Sequence, residues 1–413
     1  MNQLVKRLCE RARIENGNVL CLSSAPARVD FLNTHQDYKM LPVVPVAIEK
    51  RTFTVCSRIN EPDTVKVKSL NLEREGLDSE DVFRSSNVEL REGKWFGNYF
   101  RSMHLLISKK YGRIDFGLAI YVDSEIPIAS GLASSAALHV SLAAMYGELL
   151  SLGLSKMELA ELAYEAEHDI MGIPCGRLDQ YASSYGGVIK IEFKPVVSIE
   201  KFDGRGISFV VADSGIRHST AEIHPVRQGE LNTAIKILRE ASIPETLRKI
   251  LSGDYANVEW GLLKEEDLEN YLNVLPQKLA DRILFTLRMQ KTTETALEIL
   301  KYRRVRKTDL DGLGLRPTED WLEALGEIVN MQHVFLRDLY EVSHPKLEKM
   351  RDAALEAGAL GVKISGAGMG GSLLALLRED KDTSRVEKAF IDAGATNVFA
   401  TGIGEGASSI LMS

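Results

Sequence analysis

The stretch Pro127-Ile128-Ala129-Ser130-Gly131-Leu132-Ala133-Ser134-Ser135-Ala136-Ala137 gathers small residues ahead of a run rich in Ala, Leu and Met. Small side chains let a main chain approach a ligand closely. The first turn of a helix also aims unpaired N–H groups and the positive end of its dipole outward. An anion such as a phosphate suits that environment, with Gly131, Leu132, Ala133, Ser134, Ser135 and Ala136 as its cradle. The Ser134 and Ser135 hydroxyls are available to phosphate oxygens or to a magnesium ion. No Gly-Lys-Ser/Thr follows, so this is not a Walker loop, and a tight turn that only allows helix packing accounts for the same residues. A second turn, Lys363-Ile364-Ser365-Gly366-Ala367-Gly368-Met369-Gly370-Gly371-Ser372, serves either as a sharp chain reversal or as a second wall of a nucleotide site.

Two further stretches carry ionisable groups. Gly172-Ile173-Pro174-Cys175-Gly176-Arg177-Leu178-Asp179-Gln180-Tyr181 follows Glu165-Ala166-Glu167-His168. A carboxylate among glycines can take a proton from a small substrate's hydroxyl or orient it for attack on phosphorus; an isolated Asp also caps helices. In Arg28-Val29-Asp30-Phe31-Leu32-Asn33-Thr34-His35-Gln36-Asp37-Tyr38, Arg28 offers charge to a transferring phosphoryl group or to a neighbouring carboxylate. His35 and Asp37, two apart, suit sugar hydroxyls, and a solvated turn suits them equally.

The elements that must position these groups read as follows. Residues 4–15 form a short amphipathic helix, and 18–31 a strand-like stretch interrupted by a turn. Residues 43–48, 52–58, 63–70, 117–122 and 187–193 are strand-like, with a helical segment at 95–111. A long helix opens at Gly131 and runs to Leu152, and a second spans 155–170 with Ser155 and Glu158 at capping-box spacing. After a strand at 207–213 come helices at 228–241, 245–251, 279–301, 318–339 and 345–357. Strands at 372–377 and 397–402 then flank a helix at 384–393. Runs of strands and runs of helices, without strict alternation, indicate α+β, with a boundary near 205 that separates residues 1–205 from 206–413.

The 413 residues carry 51 Lys+Arg and 58 Asp+Glu, a net charge of −7, with 45% hydrophobic and 26% charged residues. That is globular composition long enough for two moderate domains. Without a basic block, nucleic acid and anionic membrane are not expected partners, and no apolar run reaches the ~20 residues a membrane span needs. The amino terminus lacks the apolar core of a signal peptide, so a cytoplasmic location is expected. The four scattered cysteines read as reduced thiols.

Three segments, Ala25-Pro26-Ala27-Arg28 with His35-Gln36-Asp37-Tyr38, Pro127 to Ala137, and Lys363 to Gly371, resemble in order the three motifs of the GHMP small-molecule kinases. Further likeness, to the galactokinase group, lies in Ala166-Glu167-His168, Gly172 to Gln180, Asp213 to Ser219, Pro225-Val226-Arg227 and Leu336 to Ser343. The resemblance implies a two-lobed fold, with a ribosomal S5-like amino-terminal domain and a ferredoxin-like carboxy-terminal one. It implies an ATP- and Mg2+-dependent sugar 1-kinase, with Arg28 and Asp179 as the catalytic pair, Ser135 and Glu167 as magnesium ligands, and Gly131 to Ala136 around the ATP phosphates. Thr34, His35, Asp37, Gly176 and His224 fall on sugar-contacting positions, and Gly366, Gly368 and Gly370 on a turn that closes the site. A small-molecule sugar is then the partner, in a monomer or dimer.

Departures from the family pattern bear on the substrate. Thr34 stands where a Glu accepts sugar hydroxyls, His224 where a Tyr precedes Pro-Val-Arg, Arg177 where an apolar residue is common, and Lys39-Met40-Leu41 where a glycine-rich turn is usual. Loss of a carboxylate and gain of an imidazole and a guanidinium would ease entry of an anionic sugar. Galactose, a C6-altered relative such as galacturonate, and an N-acetylhexosamine are therefore the candidate substrates. A sugar- and ATP-sensing regulator on the same fold is the non-enzymatic alternative, disfavoured because Arg28, Asp179, Glu167 and the serine pair are all present.

Overall fold

A computed structural model describes residues 3–128, 130–217 and 220–412. Ala129, His218 and Ser219 of the segments above lie outside the described residues. The first sheet contains β1 (Val19–Leu32), β2 (Val44–Ile59), β3 (Thr64–Ser69), β4 (Glu80–Arg84), β5 (Gly117–Ser124), β6 (Val188–Glu192) and β7 (Ser198–Phe202). The second holds β8 (Ile207–Asp213), β9 (Gly361–Ser365), β10 (Ser372–Arg378) and β11 (Asn397–Thr401), while β12 (Ser408–Leu411) returns to pair with β1. The chain is thus α+β in two lobes, and the last strand of the sequence belongs to the first sheet.

In the first sheet the order is β12-β1-β2-β5-β3-β4, with β6 and β7 attached through β2. All pairs are antiparallel except β3 with β5. The helix Ser134–Leu149 is buried on most sides and packs with Asn98–Tyr111 and Lys156–Glu165 in the core behind this sheet. In the second sheet the antiparallel order β11-β8-β10-β9, with helices between β8 and β9 and between β10 and β11, is the split βαβ arrangement of a ferredoxin-like domain. Helices of residues 220–302 build their own small core around Leu231, Ile235, Leu251, Trp260 and Ile283.

Several elements depart from expectation for local reasons. β1 runs unbroken through Pro26, because a register shift between Pro26 and Arg28 absorbs the missing N–H as a bulge. β2 spans both segments read as separate strands. The long helix starts at Ser134 rather than Gly131, and the helix read as 228–241 covers Thr220–Glu240, carrying Pro225 inside it. β4, β7, β9, β12 and the helix Leu178–Tyr185 are elements that periodicity does not signal, since each is short and bordered by turns. Ser155 and Glu158 do form a capping box.

Candidate active site

The bulge in β1 aims Arg28 at the mouth of the Gly131 turn. Arg28 N–H donates to Leu132 O at 3.3 Å instead of to the neighbouring strand. Its Nε donates to Asp179 Oδ1 at 2.8 Å, and its NH1 to Gly131 O at 2.6 Å. One guanidinium therefore ties the carboxylate in the first turn of the helix Leu178–Tyr185 to the small-residue turn, although 151 residues separate Arg28 from Asp179. Asp30 adds a second carboxylate 3.2 Å from Arg28 Nε. Burial pushes the Asp179 carboxyl above its ordinary value against the pull of Arg28, with Asp30 adding to the rise.

The cradle at the Gly131 turn follows from backbone geometry. Gly131 (φ 77°) and Ala133 (φ 61°) are both left-handed, and the helix that starts at Ser134 has neither a side-chain cap nor an acidic residue in its first turn. Its first amides are left for a ligand in the cavity that Gly131 to Ser135 line, and an anion there meets both N–H donors and the helix dipole. The Ser135 hydroxyl faces the Glu167 carboxylate, which accepts from Gln180 Nε2 at 2.9 Å and lies 3.7 Å from the His139 ring. Burial raises the Glu167 carboxyl, but these three neighbours hold it below its ordinary value. Glu167 sits in a π-helical turn, Ala166–Ile170, a distortion that turns it towards the helix carrying Ser135. A hydroxyl and a carboxylate are hard oxygen donors of the kind magnesium accepts, with room left for water and phosphate.

The acceptor side is one cavity of about 720 Å3 that also includes the Gly131 turn. Thr34, His35, Asp37, Gly176 and His224 line it together or touch its lining, as do Tyr38, Gln228 and Tyr255. A Cβ at Gly176 would sit 2.2 Å from Asp37 Oδ2, so any side chain there would displace that carboxylate. Burial and the nearby Asp30 push Asp37 up to about 6. His35 donates from Nε2 to Ala367 O at 3.1 Å, and burial keeps its ring and that of His224 below the usual imidazole range. Both rings are neutral near pH 7. Asn33 and His35 adopt left-handed backbones (φ 62° and 64°), a strained turn held by Gln332 Oε1 on Asn33 N–H and by Gln290 Oε1 on Asn33 Nδ2.

Arg177, Thr34 and the second glycine turn have partners that the sequence did not reveal. Arg177 does not offer its charge to a sugar: Nε donates to Glu161 Oε1 at 3.0 Å and the guanidinium lies 4.0 Å over the Tyr164 ring. Thr34 is held from below, its Oγ1 accepting from the buried Lys363 Nζ at 2.7 Å, and Lys363 also donates to Asp30 O and Ile364 O. With no carboxylate among those acceptors, burial lowers the Lys363 ammonium to about 7. In the second glycine turn Gly366 and Ala367 line the cavity, while Gly368 packs on Val342 and Gly370 on Ile216. Gly366 N–H donates to Asp30 Oδ2 at 3.0 Å, so Asp30 links this turn to Arg28. Asp30, Lys363, Gln228 and Tyr255 were not singled out by sequence. Asp30, inside the Arg28 stretch, and Lys363, at the head of the second glycine turn, had a signal that spacing could have offered.

Among the described residues no group of three His, Cys, Asp or Glu side chains is arranged for a metal, and no helix is long and apolar enough to cross a membrane. The chain matches the GHMP kinases N terminal domain over residues 98–187, the GHMP kinases C terminal over 321–396 and the galactokinase galactose-binding signature over 14–58. It is 27% identical over 377 residues to a galactokinase of Lactococcus lactis subsp. cremoris (strain MG1363), covering 88% of this chain and 84% of the relative. To a galactokinase of Thermococcus kodakarensis it is 28% identical over 369 residues, covering 87% and 90%. In fold it is similar to a crystal structure of Lactococcus lactis galactokinase complexed with galactose, with a TM-score of 0.78 at 24% identity, covering 98% of this chain and 100% of that one. A crystal structure of mevalonate kinase shares the fold at a TM-score of 0.63 and 16% identity, over 93% of this chain and 99% of that chain. Both lobes, the order of the turns and these relatives agree: the chain belongs to the GHMP kinase family.

Proposed function

We propose that the protein is an ATP- and Mg2+-dependent sugar 1-kinase whose acceptor is galactose. The observation that carries this reading is the Arg28 guanidinium, which joins Asp179 to the Gly131 carbonyl and so sets an acceptor-side carboxylate beside a cradle of free helix amides. Two of its relatives are named galactokinases and supply the sugar.

In this reading the γ-phosphoryl group of ATP passes to the C1 hydroxyl of the sugar, mostly by positioning and charge neutralisation. The amides of residues 131–136 hold the phosphates, and Arg28 places positive charge where the phosphoryl oxygens gather charge. Asp179 accepts the C1 hydroxyl's hydrogen bond and fixes its direction of attack. His35, Asp37 and His224 contact the other hydroxyls. Magnesium, held by Ser135 and Glu167, would neutralise phosphate charge. The charges of the cavity favour a neutral sugar over an acidic one, because Asp30, Asp37 and Asp179 face Arg28 while Arg177 is engaged by Glu161. Four free cysteines and the need for ATP fit a cytoplasmic enzyme.

A coupled ADP-release assay across galactose, galacturonate, N-acetylgalactosamine and glucuronate tests this. ADP release should require galactose. Turnover of an acidic sugar in its place would refute the assignment of substrate, and sugar binding without ADP release would mark a sensor instead of a kinase.

A further inference from the structure

Residues 245–315 are the part of the chain with the weakest likeness to the family motifs, yet a loop near their start reaches the cavity. The loop is fixed from several sides. Tyr255 N–H donates to Asn232 Oδ1 at 2.9 Å, Trp260 Nε1 donates to Tyr255 O at 2.7 Å, and Asp254 Oδ1 accepts from the Ala256 and Asn257 N–H groups. Trp260 is itself buried in the small core with Leu231 and Leu251. The Tyr255 ring meets Tyr38 edge-on at 5.7 Å, and both line the cavity.

Neighbouring polar groups on this wall are occupied: the Tyr38 hydroxyl bonds the Tyr340 hydroxyl, and His35 Nε2 donates to Ala367 O. The Tyr255 hydroxyl, the His224 imidazole and the Gln228 amide form no hydrogen bond among the described residues. His224 and Gln228, four apart in the helix Thr220–Glu240, share one of its faces. Three uncharged donor–acceptor groups with open valences, set among aromatic rings, suit the hydroxyls and the apolar face of a neutral hexose.

We propose that Tyr255 is a specificity-determining residue of the sugar site, its hydroxyl bonding a sugar hydroxyl other than the one at C1, with His224 and Gln228 on the same wall. This rests on the sugar-kinase reading above. Residues 245–315 then have a purpose: they carry and stiffen that wall.

The test measures kcat and KM for galactose and its monodeoxy analogues with wild type and Tyr255→Phe, together with galactose binding by calorimetry without nucleotide. The variant keeps the ring and its contact with Tyr38. Its galactose KM and Kd should rise about fivefold, the size of one hydrogen bond, with kcat unchanged. For one deoxy sugar, wild type and variant should have the same KM. An unchanged galactose KM, or an equal penalty on every deoxy sugar (the mark of a displaced loop), overturns the proposal while leaving the kinase reading intact. Failure of the wild type to bind or turn over any sugar would instead fall on the kinase reading, and this proposal would go with it.

Discussion

The two walls of the cavity are built on opposite principles. Around the proposed point of phosphoryl transfer the side chains are charged and already bonded to one another or to polar neighbours: Arg28 to Asp179 and Asp30, Glu167 to Gln180. On the wall of His35, Tyr38, His224, Gln228 and Tyr255 the groups are aromatic or neutral, and several have unused hydrogen-bonding capacity, with Asp37 the carboxylate beside them. Fixed charges need no reorganisation when a phosphoryl group crosses between oxygens. Open polar valences on a stiff aromatic wall are suited to telling one uncharged polyol from another. The contrast says that damage to the first wall should fall on kcat and damage to the second on KM.

The largest effect is expected from Asp179→Asn, which keeps shape but removes the charge that faces Arg28. Turnover should fall by about a thousandfold, while ATP affinity measured by calorimetry stays near wild type. Arg28→Lys comes next. A lysine cannot reach Asp179 and Gly131 O together as the planar guanidinium does; kcat at saturating galactose and ATP should drop about a hundredfold. A change confined to galactose KM in either variant would erase the distinction between the walls.

Glu167→Gln should raise the magnesium concentration for half-maximal rate by about tenfold, read in a magnesium titration, with galactose KM unmoved. The smallest effects belong to Asp37. Its carboxyl takes up a proton near pH 6, so wild-type galactose KM should climb as pH falls through about 6, and Asp37→Asn should remove that slope. The sign for stability follows from a folded value above the ordinary one. The protonated group's contribution is complete below about pH 4 and is lost as pH rises through about 6. Asp37→Asn should therefore raise Tm by about 3 °C at pH 7.5 and leave it unchanged at pH 4, as scanning calorimetry would show.

How far the sequence could be read depended on the kind of residue. Arg28, Asp179, Ser135 and Glu167 stood out because small residues and charges cluster around them, and the fold brings each to the same cavity. Arg177 was misread because the partners that hold it, Glu161 and Tyr164, lie on the preceding helix, and only tertiary packing decides which way a long side chain turns. Lys363 and Lys39 stood inside stretches read as turns, and nothing in those stretches signalled that the two side chains are buried. Lysines are rarely buried, and these are, the first by carbonyls and the Thr34 hydroxyl and the second among the Tyr38, Phe285 and Tyr340 rings. β9 was hidden inside a stretch whose glycines read as a turn, and β12 was too short for alternation to register. Tyr255 sits in a loop with no motif, so its place on the wall became visible only through Asn232 and Trp260, the residues that hold it.

The most direct measurement is 31P nuclear magnetic resonance of a reaction holding galactose, ATP, magnesium and the wild-type protein, run beside Asp179→Asn. The account predicts a sugar phosphate whose phosphorus couples to the anomeric proton, formed by wild type and missing with the variant. Phosphate attached at another carbon, or equal product from both proteins, would contradict it.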